Sequence, residues 1–251
     1  PVTSAFSYAF TPANPRTSAP VAVGGNLQVG SFNTLNFFTT ISTTACGPTG
    51  GQDCRGADSP SEFTRQRDKL VAAICAIDAD VLGLMELENP NPSNDPDPGD
   101  GKADYVIKDL VGALNASGSS CPDKTYAFTD GTAAGTDAIR VGIIYKTSSV
   151  TPIGTPVALI ASGFTDPNNT GTPKSRPALA QTFEDNTWGD RFTIVANHLK
   201  SKGSCPTTIP VLDTDQSDGQ GCWNDTRQKA ASYLVNTWLP TDPTASGDPD
   251  F

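Results

Sequence analysis

The chain has 251 residues, 36% of them hydrophobic, with 23 glycines and 21 prolines. That length holds one large α/β domain or two small ones, and clear apolar runs between polar loops exclude a disordered chain. A formal net charge of −10 argues against DNA binding through broad basic surfaces, but leaves open an enzyme that meets phosphate through a bound cation.

Residues 1–25, rich in Pro, Ala, Ser and Thr, read as a linker or an arriving strand. Asn26 to Phe38 follows as a strand expected to end at Ser31–Asn33. Thr39 to Pro60 reads as loop. The next segment carries a strong helix signal: Ser59 or Ser61 can cap it, Pro60 and Glu62 sit in its first turn, and Phe63, Leu70, Ile74 and Ile77 share a face. "DVLGLMELEN" is a buried strand running into Glu86, and Asn94 to Asp104 is a Pro/Asp/Gly loop. A second amphipathic helix places Val106, Leu110, Val111 and Leu114 on one side. "KTYAFTD", "DAIRVGIIYK", "RPALAQTFED" and "DRFTIVANHLK" read as strands, the last two forming a hairpin across "NTWGD". A long Gly- and Asp-rich loop from Ser201 leads to a third helix, capped near Asn224. Strands that alternate with helices yet include a hairpin predict mixed sheets covered by helices.

Six cysteines, with no CxxC pair and one histidine, favour disulfides over zinc and an oxidising, extracellular compartment. About 15 connectivities are open. Among them, Cys46–Cys54 and Cys205–Cys222 would each close a local loop, and Cys75–Cys121 would then tie a helix to a later loop. No run is apolar enough to span a membrane, and a monomer is the default expectation. Export is inferred from the cysteines alone, since the chain starts at Pro1.

Several strands end in a polar residue: Asn33 after "VGSF", Glu86 after "VLGLM", and Asn197–His198 after "FTIVA". Open α/β sheets present their sites at strand ends. A carboxylate after five apolar or small residues is costly to bury unless paired or metal-bound. Glu86 suits a ligand for Mg²⁺ or Mn²⁺, which take one or two protein carboxylates and leave other positions to water and phosphate. Asn33 could orient Glu86 or ligate beside it, and His198 could donate to a phosphoryl oxygen. The bland alternatives are a loop cap for Glu86, a turn residue for Asn33 and a structural histidine. A possible Ca²⁺ loop runs through Asp213, Asp215 and Asp218, against the bland reading of a solvated acidic loop. GxSxG, HExxH, Walker and GxGxxG patterns are absent.

"LQVGSFNTLNFF", "RGADSPSEFTRQRDKLVAAICAIDADVLGLMELEN", "GTDAIRVGIIYK", "RPALAQTF" and "VANHLKSKG" come in that order. Together they resemble the endonuclease/exonuclease/phosphatase family, and within it the bacterial extracellular nucleases. The resemblance covers residues 26–251. It implies a DNase I-like, four-layer α/β sandwich with two mixed sheets face to face, helices outside, and the site at one edge. It implies a secreted, metal-dependent phosphodiesterase that hydrolyses DNA, with RNA as an alternative. It makes Asn33, Asn197 and His198 catalytic and Glu86, with Asn33, the metal site. Asp137, Arg140, Arg176 and Lys200 fall near the substrate phosphate, and Asn224 and Arg227 in a structural position. The family's later "GDxN" and "SDH" motifs have no counterpart in these 251 residues, so the resemblance implies a domain incomplete at its C-terminal side and inactive alone. Two alternatives remain: an enzyme for lipid or inositol phosphates, which would need an exposed apolar loop such as Phe37–Phe38, and a calcium-stabilised extracellular module without catalysis.

Overall fold

Strand periodicity sorts the apolar residues of the chain into two faces for each sheet. The computed structural model describes residues 24–41, 44–94, 104–129, 135–207 and 211–247. Most of segment 1–25 and of the Asn94–Asp104 loop lies outside the described residues. A four-stranded mixed sheet has the order β1 (Val29–Phe37), β2 (Val81–Glu88), β4 (Ile139–Lys146), β3 (Tyr126–Phe128). β1 runs parallel to β2, while β4 is antiparallel to both β2 and β3. A three-stranded sheet joins β5 (Val150–Leu159), β6 (Arg176–Asp185) and β7 (Arg191–His198) in order. It is antiparallel rather than mixed as expected, with β6 and β7 forming the hairpin.

Val81, Val141, Ile143 and Tyr145 of the first sheet meet Leu179, Phe183 and Ala196 of the second in a shared core. The opposite face of the first sheet, with Leu82, Leu84 and Ile144, packs on helices α1 (Pro60–Ile77) and α2 (Tyr105–Asn115). The outer face of the second sheet, with Leu159 and Ala178, packs on the short helix α3 (Ser162–Thr165) and on α4 (Asn224–Tyr233). The result is a four-layer sandwich, helix–sheet–sheet–helix, because each sheet has two apolar faces to cover.

Local chemistry explains the helix ends. Ser59, extended at φ −150°, caps α1 by accepting from the Glu62 N–H at 3.3 Å, and Pro60 occupies the first turn. The helix ends at Asp78, left-handed at φ 54°. Helix α4 begins at Asn224, next to its cap position, close to where the sequence placed it. Trp223 holds the cap position without a side-chain hydrogen bond, and a residue far back in sequence does the work. The buried Asp213 carboxylate accepts from the Thr226 N–H at 2.8 Å and from its hydroxyl at 2.6 Å. α4 then loosens into a π turn over Leu234–Trp238.

The three disulfides are Cys46–Cys54, Cys75–Cys121 and Cys205–Cys222, and no cysteine is free. Cys75–Cys121 spans 46 residues and ties α1 to the loop after α2, a closure worth about 4 kcal/mol in the chain-entropy account. No described helix is long and apolar enough to cross a membrane. Phe37 and Phe38 are fully buried, so they do not form the exposed apolar loop suggested for a lipid-facing enzyme.

Candidate functional site

β1 does not stop at Asn33 but continues to Phe37, carrying Leu35 and Asn36 at φ 54° and 55°. Beside it, β2 carries Glu86 at φ 63°. The register of β1 on β2 slips between Asn33 and Phe37, and that of β2 on β4 slips between Leu84 and Leu87. Two adjacent bulges thus fall at one end of the sheet, and bulges re-aim side chains. Left-handed backbone at a non-glycine residue costs about 1–3 kcal/mol, so the surroundings must enforce it.

Glu86 emerges half-buried at this break. Asn33 Nδ2 donates to Glu86 Oε1 at 2.9 Å. His198, at the end of β7 in the other sheet, places Nε2 at 3.8 Å from the same oxygen. Side-chain exposures of 18% and 17% for Glu86 and His198 leave each open on one side only. Burial, with Arg176 adding to it, lowers the His198 pKa below its usual value against the pull of Glu86 and Asp137.

Arg176 stands opposite His198 in the β6–β7 register. Its guanidinium donates to Asp137 Oδ2, with Nε at 3.1 Å and Nη2 at 2.8 Å. Arg55 donates to the other Asp137 oxygen at 2.6 Å. Burial pushes the Asp137 pKa up, but Arg176 and Arg55 outweigh it and hold the carboxyl below its usual range. Asp137 thus locks two guanidinium groups beside the Asn33–Glu86–His198 cluster. Arg55 carried no signal in the sequence. It follows Cys54, and the Cys46–Cys54 loop that fixes it has no periodicity to read.

Other expected residues lie elsewhere. Asn197 precedes His198 on one strand, so the two face opposite sides of the sheet. Its Nδ2 donates to the Val195 carbonyl at 2.9 Å, away from Glu86. Asn33 Oδ1 accepts from the Leu35 N–H at 2.8 Å, and its amide NH₂ group faces Glu86 as a donor. Arg140 is buried at 8% exposure inside the sandwich, where desolvation lowers its pKa to about 10 despite Asp104, Glu88 and Tyr105. It does not share the open face of Arg176. Lys200 turns its ammonium to the carbonyls of Ser201 and Gly203 and lies 5.0 Å over the Trp223 ring. Arg227 donates to the carbonyls of Lys200, Cys222 and Gln220, which makes it the brace that its expected structural position implied.

The three aspartates of the expected calcium loop each accept hydrogen bonds from within the chain. Asp213 is spent on capping α4 and on Asn168, whose Nδ2 donates to it at 2.9 Å. Asp215 and Asp218 accept from the N–H groups of Ser217 and Gln220, each two residues on. Among the described residues no group of three or more His, Cys, Asp or Glu could hold a metal ion. A closed protein cage is therefore not what the described residues build. One carboxylate at the surface, with Glu86 Oε2 unclaimed by any described neighbour, does fit a hydrated Mg²⁺ or Mn²⁺ that takes most of its ligands from water and substrate.

No family model matches the chain, and no curated protein matches it significantly. Among solved structures, human Nocturnin with bound sulfate aligns over 57% of this chain and 44% of its own, with 16% identity and a TM-score of 0.32. ANGEL2, a 2′,3′-cyclic phosphatase, aligns over 55% and 32%, with 16% identity and a TM-score of 0.33. Its complex with adenosine-2′,3′-vanadate aligns over 52% and 30%, with 17% identity and a TM-score of 0.30. The chain spans less than half the length of each of these structures. What this chain does is therefore read from its own site.

Proposed function

We propose that this chain carries the cation and phosphate site of a secreted, metal-dependent phosphodiesterase acting on nucleic acid. The observation that carries the reading is the convergence of Asn33, Glu86 and His198 from three strands and both sheets on one oxygen, Glu86 Oε1. Three disulfides are compatible with the extracellular setting.

In this reading Glu86 binds the cation through its carboxylate, and Asn33 holds that carboxylate in place. The cation supplies charge that offsets the charge growing on the phosphoryl oxygens. His198, whose Nε2 lies 3.8 Å from Glu86 Oε1, donates its Nε2–H to a phosphoryl oxygen. Arg176, fixed by Asp137, contributes a second positive group beside His198. DNA is the substrate we favour, with RNA as the alternative.

The test is digestion of plasmid DNA with Mg²⁺ or Mn²⁺, and with EDTA, by the 251-residue chain and by a longer chain that contains it. Metal-dependent cutting that is lost in Glu86→Gln and in His198→Ala supports the reading. Cutting that survives EDTA or both substitutions overturns it, as does failure of both chains to cut.

A further inference from the structure

Three residues of β1 stand against one of β2 where the two strands lose register. Asn33 pairs with Met85 and Phe37 with Leu87, so Thr34, Leu35 and Asn36 meet Glu86 alone. A bulge of this kind takes backbone groups out of the ladder, and they must find partners elsewhere. Thr34, itself buried, ties the bulge to β2 by donating its hydroxyl to the Met85 carbonyl at 2.8 Å. The carbonyls of Leu35 and Asn36 turn instead to α1, where Gln66 Nε2 donates to them at 3.1 and 3.3 Å. Two carbonyl acceptors fix which end of the Gln66 amide faces β1, since only its NH₂ group donates. The other end, Oε1, is buried with no hydrogen-bond partner among the described residues, which works against stability. What the NH₂ group holds is the better account of the position. From the bulge an unbroken line of hydrogen bonds reaches the carboxylate: the Leu35 N–H donates to Asn33 Oδ1 at 2.8 Å, and Asn33 Nδ2 donates to Glu86 Oε1 at 2.9 Å. The first of these links depends on left-handed backbone, with φ 54° at Leu35 and 55° at Asn36. The Leu35 side chain is 74% exposed, so its own packing does not hold that backbone in place.

We propose that Gln66 is a positioning residue of the cation site: by holding the carbonyls of Leu35 and Asn36 it keeps β1 in the left-handed turn that aims Asn33 at Glu86. The inference rests on the reading of Glu86 as a cation ligand and deepens it, by naming a residue on a helix outside both sheets. Gln66 touches neither cation nor substrate. Without its NH₂ group the two carbonyls turn to water and the turn relaxes toward ordinary backbone. The Leu35 N–H then leaves Asn33 Oδ1, the Asn33 amide rotates, and the Glu86 carboxylate loses the donor that orients it. A carboxylate that the cation itself must order binds that cation more weakly.

The experiment has two readouts on the full chain. One is Mn²⁺ titration followed at the single His198 imidazole signal. The other, in metal-free buffer, is water exchange at the Asn33 side-chain amide, identified in ¹⁵N spectra by its loss in Asn33→Ala. Gln66→Met keeps the bulk and removes the donor. It should need about tenfold more Mn²⁺ for the same broadening, and its Asn33 amide should exchange faster. Adding Leu35→Gly to Gln66→Met should restore most of the affinity, because glycine holds a left-handed turn unaided. A residue that merely stabilised α1 gives no such rescue. Thr64→Gly, at an exposed position of the same helix, should lower the melting temperature and leave both readouts unchanged. Gln66→Ala, with a stronger helix former, repeats the test if Gln66→Met folds poorly. Parent-like Mn²⁺ binding and amide exchange in the Gln66 variants, an equal loss in Thr64→Gly, or no rescue by Leu35→Gly would overturn the proposal. A parent chain that binds no Mn²⁺ would overturn the cation reading alone. The Asn33 amide would then decide the role of Gln66: faster exchange in Gln66→Met upholds it, and unchanged exchange sinks it.

Discussion

Glu86 holds a left-handed backbone at φ 63° that a glycine would adopt freely. Glycine at this position removes about 1–2 kcal/mol of strain and loses one half-exposed hydrogen bond from Asn33 of similar or smaller worth. Glu86→Gly should therefore melt at or above the temperature of the parent chain, while in the longer chain that contains it metal-dependent cutting falls by about a hundredfold or more. A large drop in melting temperature would mean that Glu86 is there for stability. His198 offers a second check at the same scale. As the sole histidine it gives a single imidazole signal in proton NMR. In metal-free buffer its midpoint should lie below the usual 6.5. The sign follows: as pH falls through about 6.5 the unfolded chain takes up a proton that the native site resists, so the native state loses stability on acidification. A midpoint at or above 6.5 would contradict the burial and Arg176 contact described for it. At this scale the sequence singled out Glu86, Asn33 and His198, which the structure brings together, because each follows an apolar run. It misplaced Asn197, since its neighbour's role says nothing about which face it takes, and Arg140, since a guanidinium inside a sandwich leaves no trace in spacing.

The helices and loops show where local signals were sufficient and where they were not. α1 was legible in full because its cap, its first-turn proline and its apolar stripe agree. β5 was not, because Pro152, Gly154 and Pro156 read as loop; it survives as a strand at the sheet edge, where a missing N–H donor is tolerated. The start of α4 at Asn224 was legible, but the group that caps it was not. Its cap arrives from Asp213, eleven residues before the helix begins, and no local window contains both. Asp213→Ala should therefore destabilise the fold by about 2–3 kcal/mol in urea unfolding, by stranding the buried donors of Thr226 and Asn168. The loss should be the same in EDTA and in excess Ca²⁺. A loss seen only with Ca²⁺ would restore the calcium loop.

At the scale of the whole molecule, the sandwich does one thing for the site: it brings the end of β2 in one sheet against the end of β7 in the other. That apposition follows from the shared core, where Ala196 of β7 is buried in one cluster with Val81 of β2. The alternation of strands with helices, with one hairpin, predicted sheets covered by helices, and that much of the architecture was readable. The contact between Glu86 and His198 was not, since 112 positions separate them and only the packing of the two sheets joins them. The central claim is that this junction binds a divalent cation. Its most direct test is titration of the chain with Mn²⁺ while the single His198 imidazole signal is followed by proton NMR. A cation held at Glu86 should broaden that signal at low Mn²⁺ in the parent chain, Mg²⁺ should compete, and Glu86→Gln should abolish the effect. A signal that stays sharp, or that broadens equally in Glu86→Gln, would contradict the claim.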